Sequence, residues 1–462
     1  MSIESNLLID SEHLLERLES RLRQIHPIRR IGTVAEIRVT TLRAMLPNVV
    51  QGELCEIEST AGSTILGEVI GFDEKYATIS CLQSPNGIAL GAEVRPLGKP
   101  HSVKVEDVGE DVLDGMGRSL AFPENRLRGV LSTDDTAMPV IKPAPPATSR
   151  PPVSKPFETG VKLIDNLITL GVGQRVGLFA PPGCGKSTLM AQIVRGAKVD
   201  AVVFGLVGER GRELREFMEN EISDDIRQKS YFVCATSDRS PVERVRAAFT
   251  ATSIAEYLRD KGKNVLLVID SLTRLARAQR ELGLMAGEPA TQSGFTPSVY
   301  SILPELIERA GRTETGNLTA IYTVLMERAE LEEDPIASEA KSLLDGHIIL
   351  SSKLVEKSQF PAIDPLKSLS RVMSSVADAN TIQIGSLVRQ AYSLYSEVEL
   401  LLRLNEYEAG NNPMIDEAIR IKPLLDAWCK QDRFSPVGAA ASKQELAKLV
   451  NSFGALAQPG RR

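Results

Sequence analysis

A lone ammonium followed by two hydroxyls, Lys186-Ser187-Thr188, stands directly after Ala180-Pro181-Pro182-Gly183-Cys184-Gly185. The apolar run Val176 to Phe179 precedes this stretch, and the helix-patterned run Leu189 to Val194 follows it. A strand, a glycine-bearing turn and a helix in that order form an anion cradle, because the turn's N–H groups and the positive helix N-terminus face one point. The spacing predicts a phosphate loop in which Lys186 reaches the β- and γ-phosphates of ATP and the Ser187 hydroxyl takes a Mg²⁺ ion. The common pattern begins with glycine six residues before the lysine; Ala180 holds that place here and is still small. Pro181 and Pro182 stiffen the loop. Cys184 lies inside the cradle, near a helix N-terminus that favours thiolate. A glycine turn that merely precedes a helix is the bland alternative, and GKST at a strand–helix junction argues against it.

Two carboxylates carry the next step. The apolar strand VLLVID ends at Asp270, and beside a phosphate loop a strand-terminal Asp can hold a water of the magnesium shell. Glu209, in Gly208-Glu209-Arg210-Gly211-Arg212-Glu213, follows the strand FGLV directly. That is where open α/β sheets carry their ligands, and a carboxylate there can orient and polarise an attacking water. Without the phosphate loop the same residues would read as a solvated charge run. Farther on, Phe360 could stack on an adenine and Arg371 could neutralise γ-phosphate charge in the transition state. Each is a weak signal alone; their order and spacing make the case.

These residues need a scaffold. At 462 residues the chain is long enough for about three domains. Apolar residues make up 42% and charged residues 25%, ordinary globular values that allow a sizeable core. A net charge of −6, from 54 basic and 60 acidic residues, gives no electrostatic reason to expect nucleic-acid binding. The five cysteines (Cys55, Cys81, Cys184, Cys234, Cys429) contain no CxxC, and the four histidines are dispersed. That argues against a disulfide framework or zinc site and for a reducing compartment. No apolar run approaches the ~18 residues of a membrane span, and a signal-peptide core is missing from the N-terminus, so membrane contact is expected to be peripheral.

Along the chain, Leu7 to Ile25 reads as one amphipathic helix that could dock on a partner or lie on a membrane surface; packing on its own protein is the preferred reading, and Asp10, Glu12, Glu16 and Glu19 oppose an anionic bilayer. Short β-rich pieces follow at Gly32–Val39, Glu53–Ile57, Gly67–Phe72 and Tyr76–Ser80, spaced as in a small β-barrel. Only Phe72 and Tyr76 could stack on bases, so the barrel is expected to associate subunits rather than bind oligonucleotides. Residues 139–156 hold seven prolines and form an extended lead-in. Beyond the phosphate loop, apolar segments at Ala201–Val207, Tyr231–Ala235, Val265–Ile269, Leu318–Leu325 and His347–Leu350 alternate with helical stretches. This predicts an α/β domain with a mainly parallel sheet covered on both faces. Past Asp378 the chain turns helical, clearest at Tyr392–Asn405 and Met414–Lys430, and the tail from Gly454 is expected to fray. The divisions are an N-terminal helix at 1–27, a β-barrel at 28–97, an ATPase domain at 98–376 and a C-terminal helical domain at 377–462.

From about Gly32 to Arg403 the chain resembles the rotary ATP synthase catalytic subunit and its relatives, the export ATPases of type III secretion. GERGRE, VLLVIDSLTRLARAQRE, GEPATQSGFTPSVYSILPELIERAG, ASEAKSLLDGHIILS and FPAIDPLKSLSR together carry that resemblance. It implies an N-terminal β-barrel, a RecA-like P-loop ATPase core, a C-terminal helical domain and a homohexameric ring with sites between subunits. It also implies roles: Glu209 as the catalytic carboxylate, Arg210 near the γ-phosphate, Asp270 at the magnesium, Phe360 in the adenine-stacking place and Arg371 supplied by the neighbouring subunit. GELCEI, EVIGF, EVRPLGKPHSVKV and VLDGMGR look most like the injectisome export ATPases, with the flagellar export ATPase as runner-up. Synthase catalytic subunits carry Thr where this loop has Ser187, noncatalytic ones lack the glutamate, and the Rho terminator would need an RNA-binding barrel. Pro181-Pro182 and Phe360 in place of the usual Tyr depart from the family pattern.

The resemblance further implies a central stalk protein, a peripheral stator or regulator, and chaperone–effector complexes that meet the C-terminal domain. It places the protein in the cytoplasm, at the inner-membrane face. An alternative of another class is a nucleotide-binding scaffold that hydrolyses slowly or not at all.

Overall fold

The computed structural model describes residues 30–38, 40–60, 62–105, 112–120, 137–326 and 333–457. The amphipathic segment Leu7–Ile25 lies outside the described residues. The chain divides into two compact units, Met1–Lys99 and Pro100–Arg462.

In the first unit, β1 (Gly32–Ile37), β2 (Thr41–Met45), β3 (Glu53–Glu58), β4 (Thr64–Phe72), β5 (Ala77–Cys81) and β6 (Glu93–Pro100) close into a barrel in the order β1-β2-β5-β4-β3-β6. Leu42, Ile57, Val69, Ile79 and Val94 are fully buried inside it, as the two-residue alternation of strands requires. The strands expected from sequence are all present, and β2 and β6 complete the ring. Phe72 is exposed, whereas the Tyr76 ring lies 4.8 Å beneath the Arg43 guanidinium.

The second unit is built on a nine-stranded sheet. Eight strands form its path, β7 (Val112–Asp114), β8 (Arg175–Ala180), β9 (Ala201–Glu209), β10 (Ser230–Thr236), β11 (Asn264–Asp270), β12 (Asn317–Leu325), β13 (Gly346–Ile349) and β14 (Leu369–Ser370), and the ninth, Gly311–Arg312, pairs antiparallel with β12 off that path. The spatial order is β14-β13-β8-β12-β11-β9-β10-β7, parallel from β13 to β7, with β14 antiparallel at one edge. Both faces are buried, which explains why these strands read as continuous apolar runs. Val202, Phe204 and Leu206 of β9 join one core with Leu189 and Ile193 of α1 (Lys186–Gly196). Val203 and Val207 join a second core with α2 (Pro241–Asp260) and α3 (Leu272–Met285). Each such fully buried Val or Leu side chain contributes about 1.5–3 kcal/mol relative to exposure.

The C-terminal helices α5 (Ala379–Arg403), α6 (Pro413–Cys429) and α7 (Ala439–Ala457) follow α4 (Pro335–Leu343). Ile384, Val388, Leu425, Trp428 and Phe453 enter the same core as the α1 face of the sheet, so the helical segment is fixed against the phosphate-loop strand. Asp378 starts α5 by accepting the Thr381 N–H at 2.9 Å. Of the tail expected to fray from Gly454, residues 454–457 continue α7, whose Val450 and Phe453 are buried, and residues 458–462 lie outside the described residues.

Candidate active site

The parallel strands set the site. Ala180, Glu209, Asp270 and Leu325 end β8, β9, β11 and β12 along one rim of the sheet. Gly183 and Gly185 turn the chain after β8 with φ of +77° and +81°, the left-handed region that favours glycine. Gly185 caps α1, and its carbonyl accepts the Leu189 N–H at 2.9 Å. The first-turn N–H groups of Lys186, Ser187 and Thr188 therefore have no acceptor within the helix, and they form an anion-facing end.

Register explains how the carboxylates meet. Leu206 pairs with Asp270, so β9 runs three residues past the end of β11. A bulge between Val207 and Glu209, with Gly208 at φ +66°, re-aims Glu209 back across the rim. The Lys186 ammonium bonds Asp270 Oδ1 and lies 3.8 Å from Glu209 Oε1. Thr323 Oγ1 on β12 donates to Asp270 Oδ1 at 2.6 Å, and the Arg274 guanidinium pairs with Glu209. Asp270 and Glu209 are 2% and 9% exposed, so this cation–carboxylate cluster is largely removed from water.

Burial pushes the Glu209 pKa above the ordinary glutamate range. Its bond to Arg274 opposes that, the nearby Asp270 charge adds to it, and Lys186 draws it down, with the net direction upward. A carboxylate held this way is more basic than a free one, which suits it to polarise a water and take its proton.

A cavity of about 660 Å³ is bordered by Ser187, Glu209, Asp270, Phe217, Glu221 and Arg433. A second, of about 380 Å³, is bordered by Gly185, Thr188, Gln192, Phe360, Gln431 and Arg433. Phe360 is 48% exposed beside the phosphate loop, unlike a core phenylalanine, and is available as a stacking surface. For a magnesium ion the donor chemistry fits: one hydroxyl and two carboxylates are hard oxygen ligands, and such ions take few protein ligands when phosphates supply the rest.

Not every sequence-predicted residue joins this centre. Arg210 is 78% exposed and pairs with Glu213 at 3.1 Å, outside the Glu209–Lys186–Asp270 cluster. Cys184 borders the second cavity but is only 3% exposed and packs against the core, and burial raises its pKa. The expectation of a thiolate at the helix N-terminus is therefore corrected: desolvation outweighs the helix end. Arg371 follows β14 at the other rim of the sheet. Its N–H donates to the Asp345 carbonyl at 2.9 Å, and the Asp345 N–H donates to the Arg175 carbonyl at 2.9 Å. Arg371 thus lies level with the start of β8, five strand residues from Ala180, a separation of roughly 17 Å at the usual rise. Its side chain is exposed and cannot span that distance to this chain's own phosphate loop.

Arg274, Thr323, Gln431 and Arg433 are site residues that the sequence reading did not single out. Arg274 had a signal: it lies one turn into a helix capped by Ser271, directly after Asp270. The others come from distant segments and are of common residue types.

Comparison with known proteins bears on the same regions. The "ATP synthase alpha/beta family, beta-barrel domain" matches residues 28–98, the family's nucleotide-binding domain matches 160–370, and the "T3SS EscN ATPase C-terminal domain" matches 377–448. The chain is 47% identical over 442 residues to a type 3 secretion system ATPase of Pseudomonas syringae pv. syringae, across 94% of this chain and 96% of that protein. It is 40% identical over 432 residues to a flagellum-specific ATP synthase of Bacillus subtilis, across 92% and 96% of the two. The fold is similar to a solved structure of the assembled ATPase EscN from the enteropathogenic E. coli type III secretion system, with TM-score 0.84 at 39% identity over 91% of this chain and 100% of that one. EscN in complex with its central stalk EscO matches with TM-score 0.81 at 38% identity over the same shares.

Proposed function

The chain belongs to the type III secretion ATPases of the ATP synthase alpha/beta family, and from that premise we propose that it is the ATP-hydrolysing motor of a type III secretion apparatus. Hydrolysis is coupled to detaching effector proteins from their chaperones, unfolding them and exporting them. The observation that carries the catalytic reading is the convergence of Glu209 and Asp270, from two strand ends, with Lys186, the first residue of α1, beside a cavity bordered by both carboxylates and Ser187.

In this reading Lys186 leaves the carboxylates for the β- and γ-phosphates, where its charge is better matched. Ser187 and Asp270 would hold Mg²⁺, directly or through water, and the ion would neutralise charge on the phosphate oxygens. Glu209 orients the attacking water and accepts its proton, while Arg274 keeps that carboxylate aimed. Ala180 through Thr188 cradle the phosphates, and Phe360 stacks on the adenine. Arg210 approaches the γ-phosphate only after leaving Glu213. Arg371 completes the site of an adjacent copy, since it stands on the rim opposite its own phosphate loop. A homohexameric ring satisfies that requirement for every subunit.

The proposed partners are a central stalk, a peripheral stator or regulator and chaperone–effector complexes at the helical domain, with no nucleic acid. The proposed place is the cytoplasmic face of the inner membrane; none of the described helices is long and apolar enough to cross it. Identity favours the injectisome branch over the flagellar one, 47% against 40% in the relatives compared. The domain limits 1–27, 28–97, 98–376 and 377–462 belong to the same proposal.

Two variants test the nucleotide site. Lys186→Ala removes the cation from the phosphates and leaves Asp270 and Glu209 facing them, so turnover should fall by about 100-fold or more. Near wild-type turnover would overturn the phosphate-loop assignment. Phe360→Ala should raise KM for ATP about tenfold with kcat little changed, because base–aromatic stacking is worth about 1–3 kcal/mol and is uniform between ground and transition states. A fall in kcat at unchanged KM would place Phe360 elsewhere in the mechanism.

A further inference from the structure

The segment that carries Arg371 is tied to β8 by a set of bonds that the catalytic reading does not use. Arg175, the first residue of β8, grips Asp345 with two guanidinium contacts, Nε to Oδ2 at 3.0 Å and Nη2 to Oδ1 at 3.2 Å. Its backbone N–H adds a third bond to Oδ2 at 3.2 Å. The remaining guanidinium nitrogen pairs with Glu308 at 2.6 Å, and Glu308 is itself held by Arg150 at 2.6 Å. Bidentate geometry fixes direction as well as distance.

Asp345 passes this order on through its backbone. Its carbonyl accepts the Arg371 N–H at 2.9 Å and the Gln174 side-chain amide at 3.0 Å. The same amide donates to Ser370 Oγ at 3.1 Å, so the residues on both sides of the Ser370–Arg371 peptide are fixed to one clamp. Beyond it, Arg371 Nη2 donates to the Lys341 carbonyl at 3.3 Å, in the last turn of α4. The Arg371 head is exposed while its root is held.

We propose that the Asp345–Arg175 pair positions Arg371 for the phosphate of the neighbouring subunit. The inference rests on the reading that Arg371 acts on an adjacent copy. The clamp sits at the start of the strand whose far end opens this chain's own phosphate loop, so it holds the root of one site's arginine and lies on the strand that leads to another site's lysine. Which of the two it serves is a question that mixing variants can answer. An arginine that stabilises transferring phosphate must be held within a fraction of an ångström, and a displacement of about 1 Å can cost roughly 100-fold in rate.

Asp345→Asn keeps the shape and the backbone bonds but removes the charge that fixes Arg175. Turnover of the pure variant should fall about 10- to 100-fold, with equilibrium ATP binding and thermal unfolding close to wild type. The variant is then mixed with Lys186→Ala and, separately, with Arg371→Ala, and recovery is compared with that of a Lys186→Ala plus Arg371→Ala mixture. The proposal predicts recovery with Lys186→Ala, which supplies a well-held arginine to the intact phosphate loop of the Asp345→Asn subunit. It predicts none with Arg371→Ala, because neither partner then supplies one. The reverse pattern would mean that Asp345 serves its own phosphate loop, and this would overturn the proposal. Recovery with both, with neither, or full activity of the pure variant would overturn it too. Arg175→Gln, which breaks the same pair from the other side, should reproduce the predicted pattern if the first variant folds poorly. Failure of the Lys186→Ala plus Arg371→Ala mixture itself would remove the neighbour-site reading and the clamp with it, whereas its success with a failed Asp345→Asn pattern removes the clamp alone.

Discussion

Glu209→Gln protein should bind ATP at least as well as the wild type and hydrolyse it roughly 10²- to 10⁴-fold more slowly, the range expected when a positioned base is lost. Gln keeps the size of the side chain and can still face Arg274, so the bulge at Gly208 and the rim geometry have no steric reason to change. The change removes a negative charge from a position 3.8 Å from the Lys186 ammonium. A triphosphate entering that cluster then meets one carboxylate fewer, which favours binding. The chemical step loses the group that polarises water, so kcat falls while affinity holds, the pattern of an interaction made in the transition state. The pH profile supplies a second readout. Burial raises the Glu209 pKa, so turnover of the wild type should fall with decreasing pH at values above those of an ordinary glutamate, as the base is protonated. That acid limb should be absent from the residual activity of Glu209→Gln. Equal losses of ATP affinity and turnover would instead make Glu209 a structural residue.

Arg371→Ala should cost about 10³-fold or more in turnover, the scale seen when an arginine supplied to a transferring phosphoryl group is removed. The loss arises because water cannot replace a fixed cation at the moment charge spreads over the γ-phosphate oxygens. ATP binding should be nearly unaffected in the separated subunit, since Arg371 lies at the rim away from Lys186. Mixing Arg371→Ala with Lys186→Ala should restore part of the activity, because an intact phosphate loop from the first variant meets an intact arginine from the second. Two inactive preparations that stay inactive in every mixture, under conditions where they assemble together, would argue that both residues act within one chain.

Much of this site was legible in sequence where the chemistry is contiguous. The phosphate loop is one unbroken stretch, and glycine, lysine and serine there have a physical reason to stand in that order. Glu209 and Asp270 were readable because each ends an apolar strand, and strand ends on one rim converge. Thr323 and Arg433 were not readable: a threonine inside a strand and an arginine in a loop are common, and only the sheet order brings Thr323 to Asp270 and only the packing of the helical segment brings Arg433 to the cavities. The thiolate expectation for Cys184 failed for a related reason, since burial is a tertiary property that a local helix-end argument omits. In the barrel, β6 contains Pro96 and Pro100, residues that count against a strand in a local reading. Barrel closure, set by pairing with distant partners, overrides that signal.

The central claim is that hydrolysis belongs to an assembly, with Lys186 and Glu209 from one copy and Arg371 from the next. Its most direct test is specific ATPase activity measured across a dilution series, with the mass of the assembled species followed on the same samples. The account predicts that activity per subunit rises with concentration in step with assembly and drops toward the level of Arg371→Ala as the protein dissociates to monomer. Full specific activity at dilutions where the protein is demonstrably monomeric would contradict it, because a site complete within one chain needs no neighbour.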